Sequence, residues 1–207
     1  RSASSTGAFD LGVDPTRLPG RLRFTKDAVQ RFTRAWGRPV PEATGFNANE
    51  FDPEAIRAAY LLVGDDDLPL GEQFADRLTE MEFVVVQTSH SSALTEMADV
   101  VLPMPTWAEQ SGTFTNIDGR LLPLRQAVPA PEGILPAYDV LTALGSAFGL
   151  ETAYRTAADV AREIAELVPE YAAPLAAGEG VVRFDDVAFD VRRAELRAPD
   201  YFREVEA

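Results

Sequence analysis

The sequence contains no cysteine and a single histidine, His90. Without thiols these 207 residues hold no disulfide, no cysteine nucleophile and no cysteine-held zinc or iron–sulfur cluster. A transition-metal site would have to be assembled almost wholly from carboxylates, so no metal ligands are expected. Lysine is nearly missing as well: Lys26 is the only one, and the other basic residues are arginines. The 19 basic residues face 33 acidic ones, a net charge of −14, which makes nucleic acid and anionic membrane surfaces poor partners. Long apolar runs are absent. The longest, such as Phe83–Val86, fall far short of the roughly 18 residues a membrane span needs, and the opening RSASSTGAFDLG has no apolar core of a signal peptide. Neither GxGxxG nor GxxxxGK[ST] follows any predicted strand, so the usual nucleotide folds are unsupported.

What is present reads as an ordinary globular chain, 46% hydrophobic and 25% charged. Its length suits one domain or one and a half, at roughly 150 residues per domain. The first residue is Arg1, and the opening dozen residues read as a loop cut in mid-course, so the chain is expected to be a piece of a longer polypeptide. Three segments are expected: a loop-like start over 1–24, an α/β domain over 25–168, and a tail over 169–207 that is irregular or extended.

The α/β reading rests on alternation. The stretch 25–37 predicts a helix capped by Thr25, with Val29, Phe32 and Trp36 on one face and Gly37 at its end. AYLLVG (59–64) predicts a strand, 70–81 a helix carrying Leu70, Phe74 and Leu78, and EFVVVQ (82–87) a strand buried on both faces. SSALTEMA (91–98) predicts a short helix and DVVLP (99–103) a strand stopped by its proline. Strand–helix–strand–helix–strand with short connections predicts a parallel sheet with right-handed crossovers, flanked by helices. Further on, 119–128 is extended but broken by Pro123, a poor central strand. Helices are predicted over 138–149 and over 157–168, the second with a Thr156/Asp159 capping box and closed by Pro169.

Chemistry-bearing residues gather in three places. Asp65–Asp66–Asp67 follows a strand, but no second carboxylate cluster is spaced to complete an oxygen shell. TSHSS (88–92) places His90 among hydroxyls at the carboxyl end of a strand, where ligands sit in open α/β sheets. A Ser–His hydrolase would need a nucleophile elbow, and no GxSxG exists. GTFTN (112–116) can serve either as a hydroxyl-stabilised turn or as a cofactor cradle, and its residues alone do not choose.

ADVVLP (98–103) followed by an acidic residue and GTFTN-I-D-GR (112–120) resembles the molybdopterin-oxidoreductase superfamily, and most closely the large iron–sulfur (G-type) subunit of bacterial NADH-quinone oxidoreductase, respiratory complex I. GAFDLGVDPTRLPG (7–20), AYLLVGDDD (59–67), VVVQTSHSSALTEMADVVLP (84–103) and PAYDVLTALGSAFGL (136–150) fall in the family's order, so the resemblance covers about residues 7–168. Formate dehydrogenase-like members tend to carry two arginines where this chain has Gly119 and Arg120. Leu122–Pro123 replaces the valine–glutamine usual after that arginine, and Thr88–Ser91 is looser than the common pattern.

The resemblance implies a structural region of a peripheral-arm subunit, non-catalytic by itself. It would be cytoplasmic, at the inner face of the cell membrane, with other complex I subunits as partners. Iron–sulfur clusters would lie in an N-terminal part, and no cofactor would bind here. The alternative is a cofactor-binding fragment of a molybdopterin enzyme such as a formate dehydrogenase, in which Thr88, Ser89, His90, Glu109, Thr113, Asn116 and Arg120 would contact the pterin. Charge speaks against it. Arg120 is the only basic residue in either loop, and Asp99, Glu109 and Asp118 lie close by in sequence.

Overall fold

A computed structural model describes residues 5–41, 56–64, 72–150 and 154–184. The acidic run Asp65–Asp67, most of the 38–53 connection, Leu70 and the end of the tail lie outside the described residues.

The predicted parallel sheet is present. Strands β1 (Ala58–Leu62), β2 (Phe83–Thr88) and β3 (Val100–Pro103) pair in parallel in the order β1-β2-β3. Helix α3 (Glu72–Thr79) links the first two and α4 (Ala93–Met97) the second pair. Both helices pack on one face, where Val84 and Val86 meet Leu78 of α3, Leu94 of α4 and Val63 in a wholly apolar core. Asp99 ties the start of β3 to β2: its carboxylate accepts from the Val84 N–H at 2.7 Å, and its own N–H donates to the Val84 carbonyl.

The run Phe83–Val86 differs from its reading in one respect. Val84 and Val86 are buried at 3% and 0% exposure, but Val85 is only half-buried and Phe83 is 45% exposed. Alternate side chains of a strand point to opposite faces, and α3 and α4 both cover the same one. On the other face Gln87, next after Phe83 and Val85, is 0% exposed, so the two-face burial expected of this strand is present towards its carboxyl end and incomplete at its start.

A second body joins the start of the chain to its later part. It contains α1 (Ser5–Asp10), α2 (Lys26–Trp36), α6 (Ala157–Leu167), α7 (Pro169–Ala177) and an antiparallel sheet of β4 (Gly112–Thr115), β5 (Arg120–Leu124) and β6 (Gly180–Val181). α2 begins as predicted, with Thr25 Oγ1 accepting from Ala28 N–H, and ends at Gly37 in the left-handed region. Leu18, Val29, Phe32 and Val40 form one apolar cluster, and Leu121, Val168, Tyr171 and Val182 another. Leu167 packs against both. Helix α5 (Ala137–Ala147) buries only Gly145.

Three local readings change. Residues 5–10, expected as loop, form α1. Pro169 does follow the end of α6, as expected, and it also opens α7 at its first position, where a missing N–H costs nothing. The segment 169–181, expected as irregular or extended tail, is helix followed by a short strand. β5, expected to be a poor central strand, is the middle strand by order. The proline argument still explains its layout: β6 pairs only with Arg120 and Leu121, so Pro123 faces β4 alone and stands at a local edge.

Candidate functional site

The two candidate loops leave different sheets. Thr88 ends β2 at the carboxyl edge of the parallel sheet and is buried, and Ser89 and His90 follow it outward. The Thr88 carbonyl accepts from Met104 N–H at 3.1 Å, so the chain leaving β3 is held beside the chain leaving β2. Thr88 Oγ1 accepts from His90 N–H at 3.4 Å, and Ser89 Oγ lies 2.9 Å from His90 Nδ1. His90 is exposed, and no carboxylate bonds its ring among the described contacts, so the arrangement lacks the orienting acid of a hydrolytic triad. Ser92 caps α4, where its N–H donates to Thr95 Oγ1 at 3.0 Å.

The second loop is turn chemistry. Glu109 closes a single 3-10 turn, its carboxylate accepting from Thr106 N–H at 2.8 Å. Thr113 is exposed on β4, opposite Pro123. Asn116 Oδ1 accepts from both Asp118 N–H at 3.0 Å and Arg120 N–H at 2.9 Å, an Asx turn that closes the β4–β5 hairpin. Gly119 has φ +74°, and a Cβ there would stand 3.0 Å from the Val182 carbonyl oxygen. The motif N-x-acidic-G-R is thus a hairpin closure. Asn supplies the acceptor, Gly the left-handed turn and the room for β6, and Arg120 emerges on the solvent side.

Asp99 sits beside Val84, at the amino end of the sheet, and so is remote from the loop after Thr88. Glu109 faces backbone. What remains of the seven candidates is Thr88, Ser89, His90 and Thr113, with Arg120 the one arginine among them. A pterin dinucleotide carries a pyrophosphate, which calls for converging amides or arginines. The seven candidates, with one arginine among them, do not make such a set by themselves. Among the described residues no group of three or more His, Asp and Glu is placed to hold a metal ion.

Residues that sequence reasoning missed lie elsewhere. Asp10, 1% exposed, bonds Arg21 Nε at 2.6 Å and accepts from the Tyr171 hydroxyl at 2.9 Å, while Thr115 Oγ1 lies 3.0 Å from that same hydroxyl. The Arg21 guanidinium lies over the rings of Phe9 and Phe184. Burial pushes the Asp10 carboxyl up, against the opposing pull of Arg21, and burial also raises the Tyr171 hydroxyl. No local pattern announces partners 161 positions apart. At the sheet, Tyr60 donates to Gln87 Oε1 at 2.6 Å, and the buried Gln87 Nε2 has no partner among the described residues.

The described cavities do not coincide with the loop after β2. One of about 860 Å³ lies between the end of α2 and α6, lined by Trp36, Tyr154 and Glu163 among others. Another of about 450 Å³ touches Glu109, Gln110 and Thr156. In the first, Glu163 accepts from Trp36 Nε1 at 3.0 Å and from the Tyr154 hydroxyl, whose pKa is pushed up to about 12 by burial first and by Glu163 second.

Comparison with known proteins gives a family. Residues 41–147 match the molybdopterin oxidoreductase family. Over 172 residues the chain is 34% identical to the alpha subunit of the NADPH-Fe(3+) oxidoreductase of Geobacter sulfurreducens, covering 80% of this chain and 20% of that protein. A G-type subunit of the NADH-quinone oxidoreductase of Rhizobium meliloti is 32% identical over 183 residues, 82% of this chain and 21% of the relative. Formate dehydrogenase H of Escherichia coli is 27% identical over 175 residues, 80% of this chain and 24% of the relative. The chain spans about a fifth to a quarter of the length of these relatives.

Proposed function

The chain belongs to the molybdopterin oxidoreductase family, and from that premise we propose that it is a structural α/β region of the large G-type subunit of a proton-pumping NADH:quinone oxidoreductase. In this reading it holds no redox centre and turns over no substrate by itself. Its partners are the other subunits of a peripheral arm at the cytoplasmic face of the membrane, and iron–sulfur clusters belong to other parts of the polypeptide. The observation that carries the reading is the loop over 109–120. There Glu109 and Asn116 spend their side chains on backbone, and Arg120 alone is left to meet a dianion. The 32% identity to a G-type subunit and the N-x-acidic-G-R spelling agree with it. Among the described residues no helix is long and apolar enough to cross a membrane.

The second reading, a cofactor-binding part of a formate dehydrogenase-like enzyme, is favoured by the similarity to formate dehydrogenases at 27–30% identity. One preparation separates the two. The protein is purified in its native assembly and assayed for molybdenum content, for NADH-dependent reduction of a short-chain quinone and for formate-dependent dye reduction. NADH–quinone activity without stoichiometric molybdenum is the expected result. Stoichiometric molybdenum with formate-dependent turnover would replace the first reading by the second.

A further inference from the structure

The cavity of about 860 Å³ between the end of α2 and α6 is built from residues that the proposed role does not use. Asp159, Glu163 and Glu166 line it, at spacings of four and three that set their carboxylates on one face of α6. The guanidiniums in the lining are already engaged. Arg162 bonds Asp159 at 2.6 Å, and Arg38 donates to the Gly149 carbonyl. Glu166 has no hydrogen-bond or ion-pair partner among the described residues. The aromatic wall is fixed by the same helix. Trp36 packs on Phe32 with ring centroids 4.9 Å apart, yet stays 43% exposed. Its Nε1–H donates to one oxygen of Glu163 at 3.0 Å, and the Tyr154 hydroxyl donates to the other. One carboxylate thus orients two rings, and groups held in place in advance lose little freedom when a ligand arrives. Smaller cavities of about 390 and 250 Å³ also reach Trp36, so its ring stands where hollows meet.

The ligand chemistry follows from this lining. A carboxylate accepts at about four sites, so Glu163 keeps capacity beyond its two bonds. An anion would be repelled by Glu163 and Glu166. A neutral body would take water from those carboxylates and return nothing for it. A cation gains from both carboxylates and from the faces of the rings. The volume is that of small-molecule sites, which run from about 300 to 1,000 Å³. We propose that this cavity binds a small planar organic cation, such as an amidinium or guanidinium on a short apolar body. Its charged end meets Glu163 and Glu166, and its body lies against Trp36 and Tyr154. This inference does not depend on which oxidoreductase the chain serves.

Benzamidine is the probe, and benzamide, of the same shape without the charge, is its control. The protein in its native assembly is titrated with each and followed by hydrogen-exchange mass spectrometry. Benzamidine is expected to slow exchange saturably in the peptides over 31–41 and 154–167, with half the effect below about 1 mM. Benzamide should need at least about tenfold more. Glu166 is exposed, so Glu166→Gln is expected to fold as the parent does. It should weaken benzamidine by about threefold to tenfold, and Glu163→Gln by about tenfold or more, with benzamide unchanged. Equal strength of the two ligands overturns the proposal, because the cavity would then read shape alone. So does parental benzamidine affinity in Glu166→Gln. Protection confined to other peptides, or none that saturates by about 10 mM, overturns it too.

Discussion

The two bodies of this chain are stabilised differently. The parallel-sheet body uses contiguous sequence, residues 56–103, and packs around the apolar cluster of Val63, Leu78, Val84, Val86 and Leu94, with Gln87 and Thr88 the buried polar residues of its middle strand. The other body closes the chain start onto residues 112–184, and at its centre lies a polar knot of Asp10, Arg21, Tyr171 and Thr115. An apolar core tolerates small adjustments of packing. A buried ion pair does not, because removing one partner leaves the other charge desolvated. The first body should therefore fail when a charge is inserted, and the second when one is removed.

The largest effect is expected from Val86→Asp. A carboxylate at a fully buried position without a partner costs on the order of 5 kcal/mol or more. In hydrogen-exchange mass spectrometry the peptides over 83–88 should lose protection while those over 26–36 keep it. Equal loss in both would mean a single cooperative unit and dissolve the comparison. Val85→Asp, at a half-buried position on the other face, should shift the urea midpoint less. If the two variants melt alike, the two faces of β2 are packed alike.

Asp10→Ala comes next. It removes the carboxylate bonded to Arg21, whose side chain is 8% exposed, and is expected to cost about 3–5 kcal/mol. Protection should fall first in α7 and α1. A shift below about 1 kcal/mol would mean that the pair contributes nothing beyond a surface bridge. Tyr171→Phe removes only the hydroxyl joining Thr115 to Asp10 and should cost about 1–2 kcal/mol, read from the same midpoints.

The smallest effect concerns acid. Arg162, and then the Arg155 N–H and the Thr156 hydroxyl, hold the Asp159 carboxyl down at about 2. Its contribution to α6 is present above the ordinary carboxylate range and is lost as the pH falls from about 4 towards 2. Asp10 has the opposite sign: burial raises it, so its contribution is complete in acid and declines as the pH rises through its folded value. Asp159→Asn should flatten the stability profile below about pH 4, measured as melting temperature against pH. A profile as steep as the parent's would assign the acid limb to another carboxylate.

The two bodies also differed in how far they could be read. Thr25, Gly37 and the Thr156/Asp159 pair announced helix ends because a cap bonds within three or four residues of itself. The Asx turn at Asn116 was open to the same local logic, since its acceptor serves the N–H groups two and four residues on. As a sequence, though, it admitted a cradle equally well. Pro169 marked the end of α6 but not the start of α7, because a proline that ends one helix can also begin the next, and whether it does depends on what the following turn packs against. Tyr171 and Pro174 of α7 are buried in the distant-contact body.

By itself the sequence determined the elements whose signals are periodic and local: the β1–α3–β2–α4–β3 alternation, the capped helices, and the exclusion of thiol chemistry. The tertiary structure alone decided the closure of residues 5–24 onto α7, the position of Asp99 at the amino end of the sheet, and the use of Glu109 and Asn116 by backbone. It also decided that Phe83 is left largely exposed while Gln87, on the same face of β2, is fully buried. Periodicity records how a residue stands on its own helix or strand. Which element arrives on the other side is set by chain closure over tens to hundreds of residues, and no short stretch of sequence carries that information.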